Sequence, residues 1–255
     1  MIRESLYFTF DGRKSSDFGI LNISINAGLF EEQLFSNRSI REFTIRGRNK
    51  PYFIEVEKEP KTIPMSFAFE DKYNDRLIRN IVQWLNVDYY KPLAFSENLD
   101  IVFYAMPVGD NSLIHNGLKQ GYVNLNMRCD SPNGYGRDIA TPLYTTTSPT
   151  FKGTVIIDNL GDEKICPNIY IEKIGNGDLT IENYAIADNT FKFTGLIDKE
   201  IIKIDSENEI IETNIPNTFR YDNFNDNHLV LQTGKNILHI TGDCKIKFHY
   251  RFKYL

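Results

Sequence analysis

The chain has 255 residues and a mass of 29.6 kDa, which corresponds to one large or two small domains. Aromatic residues make up 13% and the formal net charge is −5, so the composition excludes a disordered chain, in which aromatic residues are scarce and the charge imbalance is larger. Apolar runs such as residues 101–106 fall well short of the roughly 18 residues that cross a membrane, and the first residues lack the apolar stretch of a signal peptide. We expect no membrane partner, and the acidic balance gives no overall attraction for nucleic acid.

The residue types favour strands over helices. The 18 Phe and 14 Tyr accompany many Ile, Val and Thr, which are enriched in strands. In the first half of the chain, alternating apolar and polar residues predict strands at residues 6–10, 23–25, 63–69, 91–95, 99–106 and 121–127. Residues 39–59 predict a long hairpin, and residues 107–121 predict a polar connection.

One helix is predicted, over residues 74–85. Five apolar side chains recur there at the spacing of a single helical face: Leu77, Ile78, Ile81, Trp84 and Leu85. Asp71 or Asn74 is suited to cap its first turn. Because Trp84 lies on the apolar face, we expect it to anchor the helix in a core.

The second half predicts only short strands and turns. The strands are predicted at residues 153–157, 169–171, 179–181, 191–193, 201–204, 237–240 and 245–252. Residues 137–150, rich in Thr and Pro, predict a linker between an N-terminal domain (1–136) and a C-terminal domain (151–255). The first 136 residues carry 16 basic and 17 acidic side chains and the rest carry 13 and 17, so most of the net negative charge lies in the second part.

No motif for catalysis or for a cofactor is found. The three cysteines (Cys129, Cys166 and Cys244) form no CxxC pair, and the four histidines form neither HxH nor HExxH, so we expect reduced thiols and no metal site. Residues 222–228 resemble a calcium loop only superficially, because Phe224 occupies a ligand position and no Gly follows. We therefore expect no cofactor, no metal, no catalytic residues and no enzymatic activity.

A carbohydrate-binding module is the alternative function. Such modules are β-sandwiches that present aromatic rings to sugar faces, and Tyr221 and Phe224 are the candidate stacking residues in the second half. Core packing explains both rings equally well. An accessory domain of a cell-wall hydrolase is a third interpretation, which zymography on host cell walls would test.

Motifs along the whole chain resemble the distal tail proteins (Dit) of long-tailed siphophages that infect Gram-positive hosts, the Sipho_tail family. They are FDG at 10–12 with SSDFGI at 15–20, RGR at 46–48, IVQWL at 81–85 with PLAF at 92–95, CDSP at 129–132, GLID at 195–198 with IDSEN at 204–208, and LQTGKNI at 231–237. Their order and spacing, more than any single motif, carry the resemblance.

The resemblance implies that the protein is a structural component of a virion. The N-terminal domain is expected to be β-rich or a β-sandwich, with one helix and an extended hairpin. It is expected to form a homo-hexameric ring that joins the tail tube protein to the tip or adhesion protein, with DNA passing the lumen without specific binding. The C-terminal domain is expected to be a galectin-like or jelly-roll β-sandwich at the ring periphery. The resemblance places the protein in the tail tip of the virion, after assembly in the host cytoplasm.

The predicted hairpin carries the candidate interface residues. Basic side chains cluster at its base and in its turn, and we expect them to meet an acidic surface of the next subunit in the ring. These residues are Arg38, Arg41, Arg46, Arg48 and Lys50.

Overall fold

The computed structural model describes residues 5–23, 33, 35–187 and 189–255. The chain divides into two compact units, Met1–Tyr135 with Leu255, and Gly136–Tyr254. The fold class predicted from the sequence, a mainly β protein with two β-rich domains, is confirmed. Residues 24 and 25 of the predicted strand 23–25 lie outside the described residues, and the strand before them ends at Asn22.

Most strands of the first unit form one antiparallel sheet. Its order is β2-β1-β7-β8-β10-β6-β3, with β9 beside β10 and β11 beside β8. The bounds are β1 Phe8–Phe10, β2 Arg13–Lys14, β3 Ile20–Asn22, β4 Arg38–Phe43, β5 Tyr52–Lys58, β6 Thr62–Phe69, α1 Asp75–Leu85, β7 Lys91–Phe95, β8 Asn98–Pro107, β9 Ser112–His115, β10 Gly121–Cys129 and β11 Gly134–Tyr135. A 3-10 turn, Ser15–Phe18, precedes β3. The prediction of a polar connection at residues 107–121 was wrong in part, because β9 lies within this range and pairs with β10 to form a hairpin.

Helix α1 confirms the predicted helix. It begins after Asn74, whose side chain accepts a hydrogen bond of 2.8 Å from the Leu77 amide. Trp84 anchors the helix, since its indole N–H donates to the Phe10 carbonyl at 2.8 Å and its ring stacks on Phe18 at 4.5 Å between centroids. The buried face of the helix thereby closes one side of the first core.

The second unit is a β-sandwich. The larger sheet has the order β12-β21-β15-β18-β19, with β13 also paired to β21, and the smaller sheet has the order β14-β20-β16-β17. The bounds are β12 Ile139–Ala140, β13 Tyr144–Thr145, β14 Thr154–Asn159, β15 Asn168–Lys173, β16 Gly177–Asn183, β17 Thr190–Leu196, β18 Ile201–Asp205, β19 Ile210–Thr213, β20 Gly234–Thr241, β21 Cys244–Tyr250 and β22 Lys253–Tyr254. Alternate residues of these strands fill one core with Ile, Leu and Phe side chains.

Residues 137–150, for which the sequence predicts a linker, contribute structure to this sandwich. Ile139 pairs with Tyr250 and Tyr144 pairs with Ile246. These short strands are hard to recognise in the sequence, because each spans only two residues, which is too few to show an alternating pattern.

Candidate functional site

The hairpin formed by β4 and β5 forms a sheet of its own. In the described part of the chain, its two strands pair only with each other. Ile40 lies opposite Val56 and Glu42 lies opposite Phe53, with a β-bulge between these two pairs. Residues directly opposite one another share a face of the hairpin, and alternate residues along β4 return to the same face. One face, called here the apolar face, therefore carries Ile40, Phe53 and Val56 together with the carboxylate of Glu42.

Apolar side chains on this hairpin are exposed to an unusual degree. Between 40% and 65% of the surface remains exposed for each of Ile40, Phe43, Ile45, Tyr52, Phe53, Ile54 and Val56. A two-stranded hairpin is marginally stable by itself in water, and a continuous exposed apolar patch usually marks an interaction site. The hairpin is thus a candidate interaction surface.

All five predicted interface cations lie on this hairpin and are exposed. Arg41 forms an ion pair of 3.0 Å with Glu55, and the guanidinium groups of Arg38 and Arg48 lie 5.0 Å and 4.6 Å from the ring centroids of Phe35 and Tyr52. Within the described residues, no hydrogen bond or ion pair holds Arg46 or Lys50. The turn therefore presents free positive charge beside exposed apolar surface.

The two candidate sugar-stacking residues occupy different environments. Phe224 is 7% exposed, and its ring lies 4.9 Å from that of Phe193 and 5.1 Å from that of Phe191. The prediction of a stacking role is therefore wrong for Phe224, because core side chains cover its ring. Tyr221 remains partly exposed, but its hydroxyl accepts a hydrogen bond of 3.1 Å from the Ile211 amide. The structure does not place the two rings on a shared binding surface.

Two of the three cysteines, Cys129 and Cys244, are core residues. Burial raises the pKa of Cys129 to about 12 and that of Cys244 to about 11, so both remain protonated thiols at neutral pH. All three cysteines are free. The described residues contain no group of three or more His, Cys, Asp or Glu that could hold a metal ion. None of the helices in this part of the chain is long and apolar enough to cross a membrane.

Two buried polar clusters were not predicted from the sequence. In the first, the Arg220 guanidinium donates two hydrogen bonds of 2.7 Å to the Glu200 carboxylate, whose side chain has no exposed surface. Burial alone would raise the pKa of Glu200, but the hydrogen bonds from Arg220 and Thr213 outweigh it and hold the pKa below its usual value of 4.5. This pair fixes the segment between β19 and Phe224.

The second cluster explains the motif at residues 231–237. The Asn236 side chain is fully buried, and its amide donates to the carbonyls of Gln232 at 2.8 Å and Gly234 at 3.0 Å. Its oxygen accepts from the Gln232 amide and from the Asn183 side chain, each at 2.9 Å. The motif thus encodes a turn held by one amide side chain, which is a structural role.

Comparisons with known proteins identify relatives of both units. A family model described as "Phage tail protein N-terminal domain" matches residues 3–131, and one described as "Phage tail C-terminal domain" matches residues 140–250. The SPbeta prophage-derived uncharacterized protein YomH of Bacillus subtilis (strain 168) is 39% identical over 255 residues, the full length of both chains.

The fold also matches a solved structure. The crystal structure of the SPP1 Dit protein superposes with a TM-score of 0.72 at 15% sequence identity, covering 98% of this chain and 99% of that one. That protein is described as a paradigm of the hub adsorption apparatus in phages that infect Gram-positive bacteria.

Proposed function

This chain belongs to the phage tail protein family, and from that premise we propose that it is a non-enzymatic hub of the tail tip. Six copies form a ring that joins the tail tube protein to the tip or adhesion protein. The C-terminal sandwich provides a docking surface for that second partner. The protein assembles in the host cytoplasm and resides in the virion.

The exposed hairpin is the observation that carries this proposal. A closed ring needs a heterologous interface, in which one surface of a subunit meets a different surface of the next. The hairpin extends apolar side chains beyond the core of its own domain and leaves them exposed. An isolated subunit gains nothing from such an element, whereas a ring buries it.

The charge distribution supports the passage of DNA through the ring. The first 136 residues carry 16 basic and 17 acidic side chains. A strongly basic lumen would retain the phosphate backbone by neutralising it, whereas a nearly neutral one would not.

The experiment that tests this function is co-expression with the tail tube and tip proteins of the same phage, followed by native mass spectrometry and negative-stain imaging. We expect a six-fold ring with a central opening, bound to both partners. A strict monomer in the presence of both partners at high concentration would contradict the proposal.

The turn cations are tested separately. We expect R46E/R48E to weaken ring assembly about tenfold at low salt, because charge reversal opposes a complementary acidic surface. The measurement is the ring fraction by size-exclusion chromatography against protein concentration. Lys199→Glu/Lys235→Glu, a matched reversal of exposed cations in the second unit, should leave the ring fraction unchanged. Equal ring fractions for wild type and R46E/R48E would exclude the turn cations from the interface.

A further inference from the structure

The β-sandwich of the second unit has an uncovered sheet edge. Strand β14 lies at an edge of the smaller sheet, and among the described strands it pairs only with β20. The Ile240 amide of β20 donates to the Gly153 carbonyl, just before β14, at 2.9 Å. Because hydrogen-bonded pairs alternate along an antiparallel ladder, the backbone groups of Thr154, Ile156 and Asp158 point away from β20. In the described part of the chain these three amides have no partner, so this edge is open to a further strand.

The other edges of this sandwich are either covered or short. On β17, the Lys192 carbonyl accepts a hydrogen bond from the Asn225 amide, and the Lys192 amide donates to the Asn225 side chain at 2.9 Å. On β19, the Ile211 amide donates to the Tyr221 hydroxyl at 3.1 Å. Beside β21 the edge consists of β12 and β13, which are two residues long and offer little to pair with. The open edge of β14 is therefore an exception within its own domain.

Large apolar side chains on and beside β14 are exposed. Ile156 exposes 55% of its surface, and Leu160, which follows the strand, exposes 73%. Natural sheet edges are usually protected from association by charged residues, by proline or by a bulge. Strand β14 contains no proline, its register with β20 has no bulge, and Asp158 is its single charged residue. The edge thus lacks most of the features that prevent another strand from pairing with it.

A recess lies beside the first residues of this edge. It has a volume of about 570 Å³ and lies between the edges of the two sheets, since β13 lines it from one sheet and residues 154–156 line it from the other. The rings of Tyr144 and Phe151 also line it, and both pack against the core of the sandwich. Lys152, which is exposed, is the one charged residue among the lining residues. Because side chains alternate along a strand, every second side chain of an added strand would point into the recess.

We propose that β14 binds an extended segment of the tip or adhesion protein, which adds a strand to the smaller sheet. The backbone of the segment bonds to Thr154, Ile156 and Asp158. An apolar side chain of the segment enters the recess, and an acidic residue beside it faces Lys152. The inference rests on the proposed function, in which the sandwich docks this partner, and it names the edge and the mode of binding. Pairing of β14 with a second copy would be a two-fold contact, which a six-fold ring of identically oriented subunits does not provide.

Hydrogen–deuterium exchange followed by mass spectrometry tests the backbone pairing directly. The probe is the purified tip protein of the same phage, added to the full-length chain. We expect exchange in a peptide covering residues 153–159 to slow at least tenfold at the amides that become hydrogen-bonded. Peptides covering β17, whose edge is already covered, should exchange at the same rate with and without the tip protein.

Ile156→Pro tests the same pairing by removing one donor. Proline is tolerated on an edge strand where the amide does not bond within the sheet, and far-ultraviolet circular dichroism checks that the variant folds. We expect its affinity for the tip protein, measured by biolayer interferometry, to fall at least tenfold. Ile156→Val is the matched control, because it keeps the amide and a β-branched side chain, and its affinity should stay within twofold of the wild type. The exchange measurement on the wild type decides the question if Ile156→Pro does not fold.

Three results would contradict the inference in different ways. Unchanged exchange at residues 153–159 in a complex with the tip protein, together with normal binding by Ile156→Pro, would overturn the added strand and leave the proposed hub intact. Slower exchange there in the chain alone, with a dimer in size-exclusion chromatography, would identify a second copy as the occupant and overturn the partner. The absence of any complex with the tip protein would contradict the proposed function as well.

Discussion

At the scale of single residues, the second unit depends on polar side chains that its sequence does not distinguish from surface residues. Asn236 and Glu200 are buried, and each satisfies several partners that are distant along the chain or belong to a turn. The chain contains many Asn and Glu residues, and only the pairing of strands decides which of them are buried. Buried groups of this kind are costly to leave unsatisfied.

Replacing Asn236 tests the cluster around its buried side-chain amide. We expect Asn236→Ala to lower the free energy of unfolding by about 3 kcal/mol, because the carbonyls of Gln232 and Gly234 lose their donor in a buried position. Urea denaturation measures this as a lower midpoint of the second unit's transition, with an unchanged slope of that transition. Lys235→Ala, at the exposed neighbouring position, should change the free energy by less than about 0.5 kcal/mol. Similar losses for both variants would contradict the role of the Asn236 amide.

Replacing Glu200 tests its pair with Arg220 through the pH dependence of stability. The pKa of Glu200 is lowered in the folded state, so its contribution is complete above its usual value of 4.5 and is lost as the pH falls through the folded-state value. We expect the stability of the wild type to fall more steeply below about pH 4.5 than that of Glu200→Gln. At pH 7 the variant should be less stable by about 3 kcal/mol, because Arg220 loses its charged partner.

The measurement is urea unfolding of both proteins between pH 7 and pH 3. Asp138 and Asp205 also have lowered pKa values and are retained in both proteins, so they contribute equally to the two curves. Parallel curves for wild type and variant would show that Glu200 does not carry the pH dependence.

At the scale of elements, local pattern predicted most of the fold. Helix α1 was predicted because its apolar spacing and its cap agree, and strands such as β10 and β21 were predicted because their residues alternate cleanly. The hairpin at 39–59 was also predicted as a pair of strands. Alternation indicates that a strand has an apolar face, but it does not indicate whether that face is covered by the same chain.

The elements that were not predicted depend on contacts with residues that are distant along the chain. Strands β12 and β13 are too short to show any period, and their pairing with β21 is set by contacts about 100 residues away in the chain. Phe224 follows a polar segment, so the sequence around it predicts an exposed loop. Its burial depends on Phe191 and Phe193, which the sandwich brings beside it.

The hydrogen bond that joins α1 to β1 through Trp84 can be tested by mutation. We expect Trp84→Phe to destabilise the first unit by about 2 kcal/mol, since the Phe10 carbonyl loses its donor in the core. Thermal unfolding followed by circular dichroism measures the change. Gln83→Ala, on the exposed side of the same helix, should have little effect. A Trp84→Phe variant as stable as the wild type would show that the indole hydrogen bond adds nothing to the ring packing.

At the scale of the whole molecule, the two units have separate hydrophobic cores. We propose that the domains at 1–136 and 151–255 unfold as separate cooperative units, each with its own transition. The single tryptophan, Trp84, lies in the first core, so its fluorescence reports on that unit alone.

This arrangement predicts the response of the full chain to Asn236→Ala. The transition followed by far-ultraviolet circular dichroism should gain an earlier step from the second unit, while the midpoint followed by Trp84 fluorescence stays unchanged. Equal shifts by both probes would show that the two units unfold together.

The unpaired edges of the hairpin affect whether free copies of the chain associate with one another. In the described residues each of its strands has one partner, so the outer edges leave backbone donors and acceptors unpaired. Such edges invite open-ended stacking between copies. The bulge beside Arg41, together with the negative charges of Glu42, Glu55 and Glu57, discourages flat edge-to-edge pairing. We propose that free subunits therefore stay dispersed until a partner nucleates the proposed ring, so that the supply of that partner would set the number of rings.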